Sequence, residues 1–311
     1  MEGLTDRELI ERFKNDCRLR NFSSHTIESY GSSLNLFSSF LRAEKHTLLD
    51  IDNDILRSYI SYLIDNGISY KTIENRFSTL SSFYDYAAYE KITDRNIILD
   101  VRKRYIRRYK KNDDNGSKRK LVDVESMSHF VNLIFDIETK AIAILFAKTG
   151  IRLRELIALD IDDINWSNMS IKLKPTPKRS NLVVFFDSEC AVILKKWLTK
   201  REKITSKGCR ALFVSYQTGN RIHRNTIYRN FTGWAEKAGL HNPESGRLED
   251  HFTTHCCRHW FTTHLRRSDM PREFIKELRG DKRREAMDIY DHIEKEELRK
   301  SYLACIPQLG I

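Results

Sequence analysis

The sequence predicts a mainly α-helical protein with one small antiparallel β-sheet, an α+β class in which a helical bundle precedes a larger second domain. Three observations point there. Apolar residues step three and four positions apart through most of the chain. Only two β-like runs lie close together, and a strongly basic stretch without apolar period separates the two halves. At 311 residues, with 40% hydrophobic content and only 12 glycines and 5 prolines, the chain is long enough for two cores and is neither fibrous nor disordered.

The N-terminal domain is expected over residues 1–102. Thr5 and Glu8 have capping-box spacing, and Leu9, Phe13 and Cys17 follow on one helical face. A second stripe runs through Ile27, Tyr30, Leu34, Phe37 and Leu41, and a third through Ile55, Tyr59 and Leu63. A fourth, with Ser69 as its cap, carries Ile73, Phe77, Leu80, Tyr84 and Ala87. Lys71 and Arg76 lie off the apolar stripe and are read as phosphate contacts.

Residues 103–120, KRYIRRYKKNDDNGSKRK, read as a basic linker. From Arg102 to Lys120 ten Lys or Arg stand against Asp113 and Asp114, which accounts for most of the net charge of +11. That concentration favours a nucleic-acid partner over a merely solvated linker, with Arg104, Arg107 and Arg108 as expected backbone contacts.

The second domain, 121–311, opens with helices that include AIAILFA (141–147), stopped by Thr149-Gly150. MSIKL (169–173) and LVVFF (182–186) form a hairpin with a basic tip, KPTPKRSN. Lys178 and Arg179 at that tip are read as DNA contacts. Helices are expected over 191–203, 226–240, 257–268 and 285–306, with ALFVS (211–215) as a short strand. The six cysteines form no CxxC pair, the N-terminus starts an amphipathic helix rather than a signal peptide, and no apolar run approaches the ~20 residues that span a bilayer. A soluble, cytoplasmic protein is expected.

Arg152 and Glu155 lie three apart at a helix start, so their side chains share a face. A guanidinium aimed by a carboxylate can grip two phosphate oxygens, although ordinary helix ion pairs look the same. His255 and Arg258 repeat that spacing, and so do His264 and Arg267. The first pair sits at a helix N-terminus, where anions bind readily. HCCRH (255–259) suggests zinc only weakly, because Cys256 and Cys257 face apart and a second ligand pair is missing. Tyr290 is a half-buried helix residue or a nucleophile that needs cationic help, its ordinary pKa being about 10. Lys174 is placed to protonate a leaving oxygen.

TGIRLRELIAL (149–159), HCCRHWFTTHL (255–265) and RGDKRREAMDIYDHI (279–293) resemble the signature boxes of the tyrosine recombinases, or phage-integrase family. Residues 23–41 and 71–87 resemble that family's helical core-binding domain. The resemblance implies that Arg152 and Arg258 hold the scissile phosphate, Glu155 supports Arg152, and His255 assists proton transfer. It likens Tyr290 to the nucleophile and Lys174 to the hairpin lysine, with Lys178 as competitor. Asp281 departs from the histidine or tryptophan expected after Gly280. The implied activity is site-specific cutting and rejoining of duplex DNA through a 3′-phosphotyrosyl link, as in integration of mobile elements, without metal or other cofactor. The implied partners are specific recombination sites and further copies of the chain, as a homo-tetramer on synapsed DNA and a monomer or dimer when free. Leu303, Ile306 and Leu309 are either a segment passed to a neighbour or a frayed tail. A type IB topoisomerase and an inactive sequence-specific DNA-binding protein on this scaffold are the rival readings.

Overall fold

A computed structural model describes residues 4–106, 119–176, 179–281 and 293–311. The chain divides into two compact units, Met1–Gly116 and Ser117–Ile311.

The first unit is helical: α1 (Asp6–Leu19), α2 (Ser24–Ala43), α3 (Asn53–Asp65), α4 (Tyr70–Tyr89) and the short α5 (Ile98–Val101). The Thr5–Glu8 box forms in both directions, with the Glu8 carboxylate accepting the Thr5 N–H at 2.8 Å and Thr5 Oγ1 accepting the Glu8 N–H at 3.3 Å. Ser23, Asp52 and Ser69 cap the next three helices with side-chain oxygens. The apolar stripes bury Leu9, Phe13, Leu34, Phe37, Tyr59, Phe77 and Tyr84 in one core. The chain continues from α5 as a π-helical turn, Arg102–Ile106, and Ile106 is buried in that core. Ile106, expected in the linker, therefore packs into the bundle.

The second unit is built around α7 (Ile137–Thr149), which is buried along nearly its whole length. A helix apolar all round has to be covered on every side. Here α6 (Val124–Leu133), α9 (Ser188–Arg201), α10 (Arg224–Lys237) and α11 (Thr254–Arg267) cover it. The sheet is antiparallel in the order β1 (Ile164–Asn165), β2 (Ser170–Lys172), β3 (Val183–Phe185), with Ile171 opposite both Ile164 and Val184. The hairpin falls where the sequence puts it, and β1 is an addition. ALFVS does not form a strand of this sheet, making only single bridges from Ala211 to Asp160 and from Val214 to Arg221. The remaining helices are α8 (Leu153–Ala158), α12 (Arg272–Arg279) and α13 (Lys295–Cys305). The helix expected over 285–306 is seen only as α13, since 282–292 lie outside the described residues.

Lys148, on α7, is wholly buried and donates to Asp187 at 2.5 Å, to Glu189 at 2.6 Å and to the Pro307 carbonyl at 2.7 Å. Glu189 accepts the backbone N–H groups of Leu309, Gly310 and Ile311 at 2.8, 2.6 and 3.1 Å. Ile306 and Leu309 are buried within their own unit, so this segment is seated rather than frayed.

Candidate active site

Two left-handed glycines set the site. α7 ends at Gly150 (φ 59°), where an added Cβ would lie 2.4 Å from the Phe261 ring. Only glycine permits both that backbone and so close a packing of α11. The chain then turns so that Arg152 becomes the N-cap of α8. Glu155 secures it twice, accepting the Arg152 N–H at 2.7 Å and the guanidinium Nη1 at 3.0 Å. Arg152 keeps about a third of its side chain exposed, while Glu155 is buried.

The second glycine, Gly280 (φ 62°), ends α12. The turn it makes exposes the Arg279 carbonyl and presents Asp281. Arg258, one turn into α11 and buried, donates Nη1 to the Gly150 carbonyl at 2.6 Å and Nη2 to the Arg279 carbonyl at 2.9 Å. Both helix-ending turns are thus pinned by one guanidinium. Burial, then Arg152 and Arg279, pull the Arg258 pKa down to about 10. It stays charged at neutral pH and gains from any anion nearby.

That anion is Asp281. Its Oδ1 stands 3.3 Å from Arg258 Nη2 and 3.7 Å from Arg152 Nη2, and its Oδ2 is 3.1 Å from Arg279 Nε. One carboxylate oxygen between two guanidiniums marks a seat for a tetrahedral oxyanion. His255 is exposed on the first turn of α11. Desolvation of its ring, followed by Arg119 and Arg258, lowers its pKa and so favours the neutral ring. His264, of the repeated pattern, is buried and bonds the Val122 carbonyl at 3.1 Å. Position along the helix separates the two patterns.

Lys174 and Arg179 each have partners of their own. Lys174, partly exposed, pairs with Asp163 at 2.9 Å and Asp160 at 3.1 Å, and these two carboxylates raise its pKa. The acidic turn 160–163 could have signalled that capture. Arg179 is not a surface DNA contact. Its side chain is fully buried, against Glu155 at 3.1 Å. In the first unit Lys71 is exposed and pairs with Glu74 at 2.6 Å. Arg76 lies beside buried Tyr59, and Arg104 stacks over the Tyr105 ring. Tyr290, Lys178, Arg107 and Arg108 lie outside the described residues.

This arrangement, two guanidiniums on one oxyanion position in a helical domain with a small sheet, suits transfer of a phosphoryl group without metal. Residues 121–297 match the phage integrase family, and residues 10–91 match the phage integrase N-terminal SAM-like domain. The chain belongs to the phage integrase family and is, in class, a tyrosine-type site-specific DNA recombinase. It is 27% identical over 305 residues to "Tyrosine recombinase XerC" of Pelotomaculum thermopropionicum, covering 93% of this chain and 94% of that one. It is 25% identical over 310 residues to "Tyrosine recombinase XerD" of Staphylococcus saprophyticus, covering 94% and 97%. The fold resembles that of a lambda integrase tetramer bound to a Holliday junction, with a TM-score of 0.69 at 17% identity over 93% of this chain and 77% of that one.

Proposed function

We propose that this chain cuts and rejoins specific duplex DNA sites through a covalent 3′-phosphotyrosyl link on Tyr290. The observation that carries the reading is the convergence of Arg152 and Arg258 on one oxyanion position. Tyr290 Oη attacks the scissile phosphorus, the P–O5′ bond breaks, and the 5′-oxygen leaves with a proton. Arg152 and Arg258 take up the charge that grows on the non-bridging oxygens. The phosphotyrosyl bond conserves the energy of the phosphodiester, so a 5′-hydroxyl from a second DNA reverses the step without ATP. His255, neutral, assists the proton movements.

Lys174 is the general acid that gives its proton to the leaving 5′-oxygen, with Lys178 as its competitor, and it would exchange the Asp160 and Asp163 carboxylates for that oxygen. Lys71, Arg76, Arg104, Arg107 and Arg108 contact the DNA backbone. The domains are a bundle over 1–102, a basic linker over 103–120 shortened at its start by the buried Ile106, and a catalytic domain over 121–311. The active assembly is a homo-tetramer on synapsed sites, a reading supported by the similar tetramer of lambda integrase on a Holliday junction. The protein works in the cytoplasm. Among the described residues no helix is long and apolar enough to cross a membrane.

Nicked suicide DNA substrates test this directly. The wild-type chain should trap a protein–DNA adduct that Tyr290→Phe does not form. An undiminished adduct in that variant would overturn the nucleophile. Specific binding with no adduct from the wild type would make the chain a binding protein.

A further inference from the structure

We infer that Arg179 is the positioning residue that ties both phosphate-holding arginines to one buried point. The inference rests on the recombinase reading and adds a residue to it. The Arg179 side chain has no exposed surface, and Glu155 beside it has almost none. Four acceptors surround the guanidinium. Nε donates to the Asn181 carbonyl at 2.5 Å, Nη2 to the Leu278 carbonyl at 2.7 Å, and Nη1 to Glu155 Oε2 at 3.1 Å and the Arg279 carbonyl at 3.2 Å. Gly280 is required here as well, because a Cβ there would lie 2.4 Å from Arg179 Cγ.

Two of these acceptors are shared. Glu155 gives Oε1 to Arg152 and Oε2 to Arg179. The Arg279 carbonyl receives Arg258 Nη2 and Arg179 Nη1. Arg179 is therefore one acceptor away from each guanidinium that faces the phosphate. Its chain neighbours reinforce the joint: Ser180 donates its N–H to the Gly280 carbonyl at 3.2 Å and its hydroxyl to the Asp281 carbonyl at 2.9 Å. Asn181 Nδ2 donates to the Glu277 carbonyl at 3.1 Å. The chain just past Lys178 is thus stitched to the turn that carries Asp281.

The planar fork is what the site uses, because an ammonium cannot serve four acceptors spread around a plane. A buried cation this far from solvent does not touch DNA. It acts by fixing where Arg152 and Arg258 stand, and a shift of about 1 Å in such groups costs roughly a hundredfold in rate.

The test uses the full chain. Arg179→Lys should stay folded with a lowered melting temperature and bind site DNA within about threefold, yet form the suicide-substrate adduct roughly a hundredfold more slowly. A folded Arg179→Lys that cleaves at the wild-type rate overturns the inference. So does a loss of DNA affinity in step with cleavage, which would make Arg179 a DNA contact. Should Arg179→Lys misfold, Glu155→Gln/Arg179→Met removes both buried charges together. It should bind site DNA within about threefold of the wild type yet form the adduct at least a hundredfold more slowly, and a folded double variant that cleaves at the wild-type rate refutes the inference. A wild type that forms no adduct defeats the recombinase reading itself and is distinguished by that control.

Discussion

Arg258 Nη2 stands 3.3 Å from Asp281 Oδ1, and that same oxygen lies 3.7 Å from Arg152 Nη2. A tethered carboxylate therefore fills the position between the two guanidiniums that the proposed function gives to a phosphate oxygen. An ionised carboxylate repels the phosphate it must give way to. Asp281→Asn and Asp281→His should each speed single-turnover cleavage by about tenfold, a barrier change of ~1.4 kcal/mol. Both the asparagine amide and the histidine ring can donate a hydrogen bond where the carboxylate cannot. Slower cleavage in both would show that the carboxylate is needed to aim the arginines.

Glu155 carries two ion pairs while nearly without solvent. Glu155→Ala leaves the Arg179 guanidinium buried without its counter-charge, and breaking such a pair from one side costs about 3–5 kcal/mol. Urea unfolding followed by circular dichroism should show a loss of that size. A loss under about 1 kcal/mol would mean that the pair is solvated in solution.

Gly150 combines a left-handed backbone with a ring packed where its Cβ would be. Gly150→Ala adds backbone strain of ~1 kcal/mol to overpacking of about 1–3 kcal/mol. Loss of stability should be accompanied by weaker cleavage, because the Gly150 carbonyl anchors Arg258. Trimming Phe261 in the same chain should recover the packing part only.

Glu138, in the first turn of α7, is buried and accepts the Val214 N–H at 3.1 Å. Burial, then Asp136, push its pKa up to about 8 from an ordinary 4.5, with Lys200 pulling the other way. The folded state keeps its proton where the unfolded state has lost it. This side chain's contribution to stability is therefore full below pH 4.5 and is lost as pH rises towards 8. The loss is at most about 5 kcal/mol. Comparing urea midpoints of the wild type and Glu138→Gln at pH 5 and pH 8 isolates it. Equal pH slopes in the two proteins would show that Glu138 is ionised in the folded state.

Much of this could be read directly from the chain because it is local. The four stripes of the bundle repeat at steps of three and four residues along single helices, and the Thr5–Glu8 box and the Arg152–Glu155 pair each lie within one helical turn, so spacing alone places the side chains. His255 was separable from His264 because a helix start and a helix interior differ in what their backbone offers. Arg179 was not readable. A basic hairpin tip suggests solvent and DNA, while the carbonyls that draw this side chain inward belong to residues 99 and 100 positions away. The ion pairs of Lys174 were not readable either. Its carboxylate partners lie close in sequence, but the short β1 that brings them alongside has too few residues to show a period. ALFVS has the composition of a strand yet finds only isolated bridges, and composition does not supply a neighbour.

The buried Lys148 has a further consequence. All three of its donors are committed, and two of the acceptors, Glu189 and the Pro307 carbonyl, link α9 to the residues after α13. Peeling residues 307–311 away would take one of the three acceptors from a buried ammonium and leave Glu189 without three amide partners. Segments at the edge of a domain usually fray ahead of it. Here the Leu309, Gly310 and Ile311 amides should exchange their hydrogens only when the whole second unit opens, making the last stretch of the sequence one of its most cooperative.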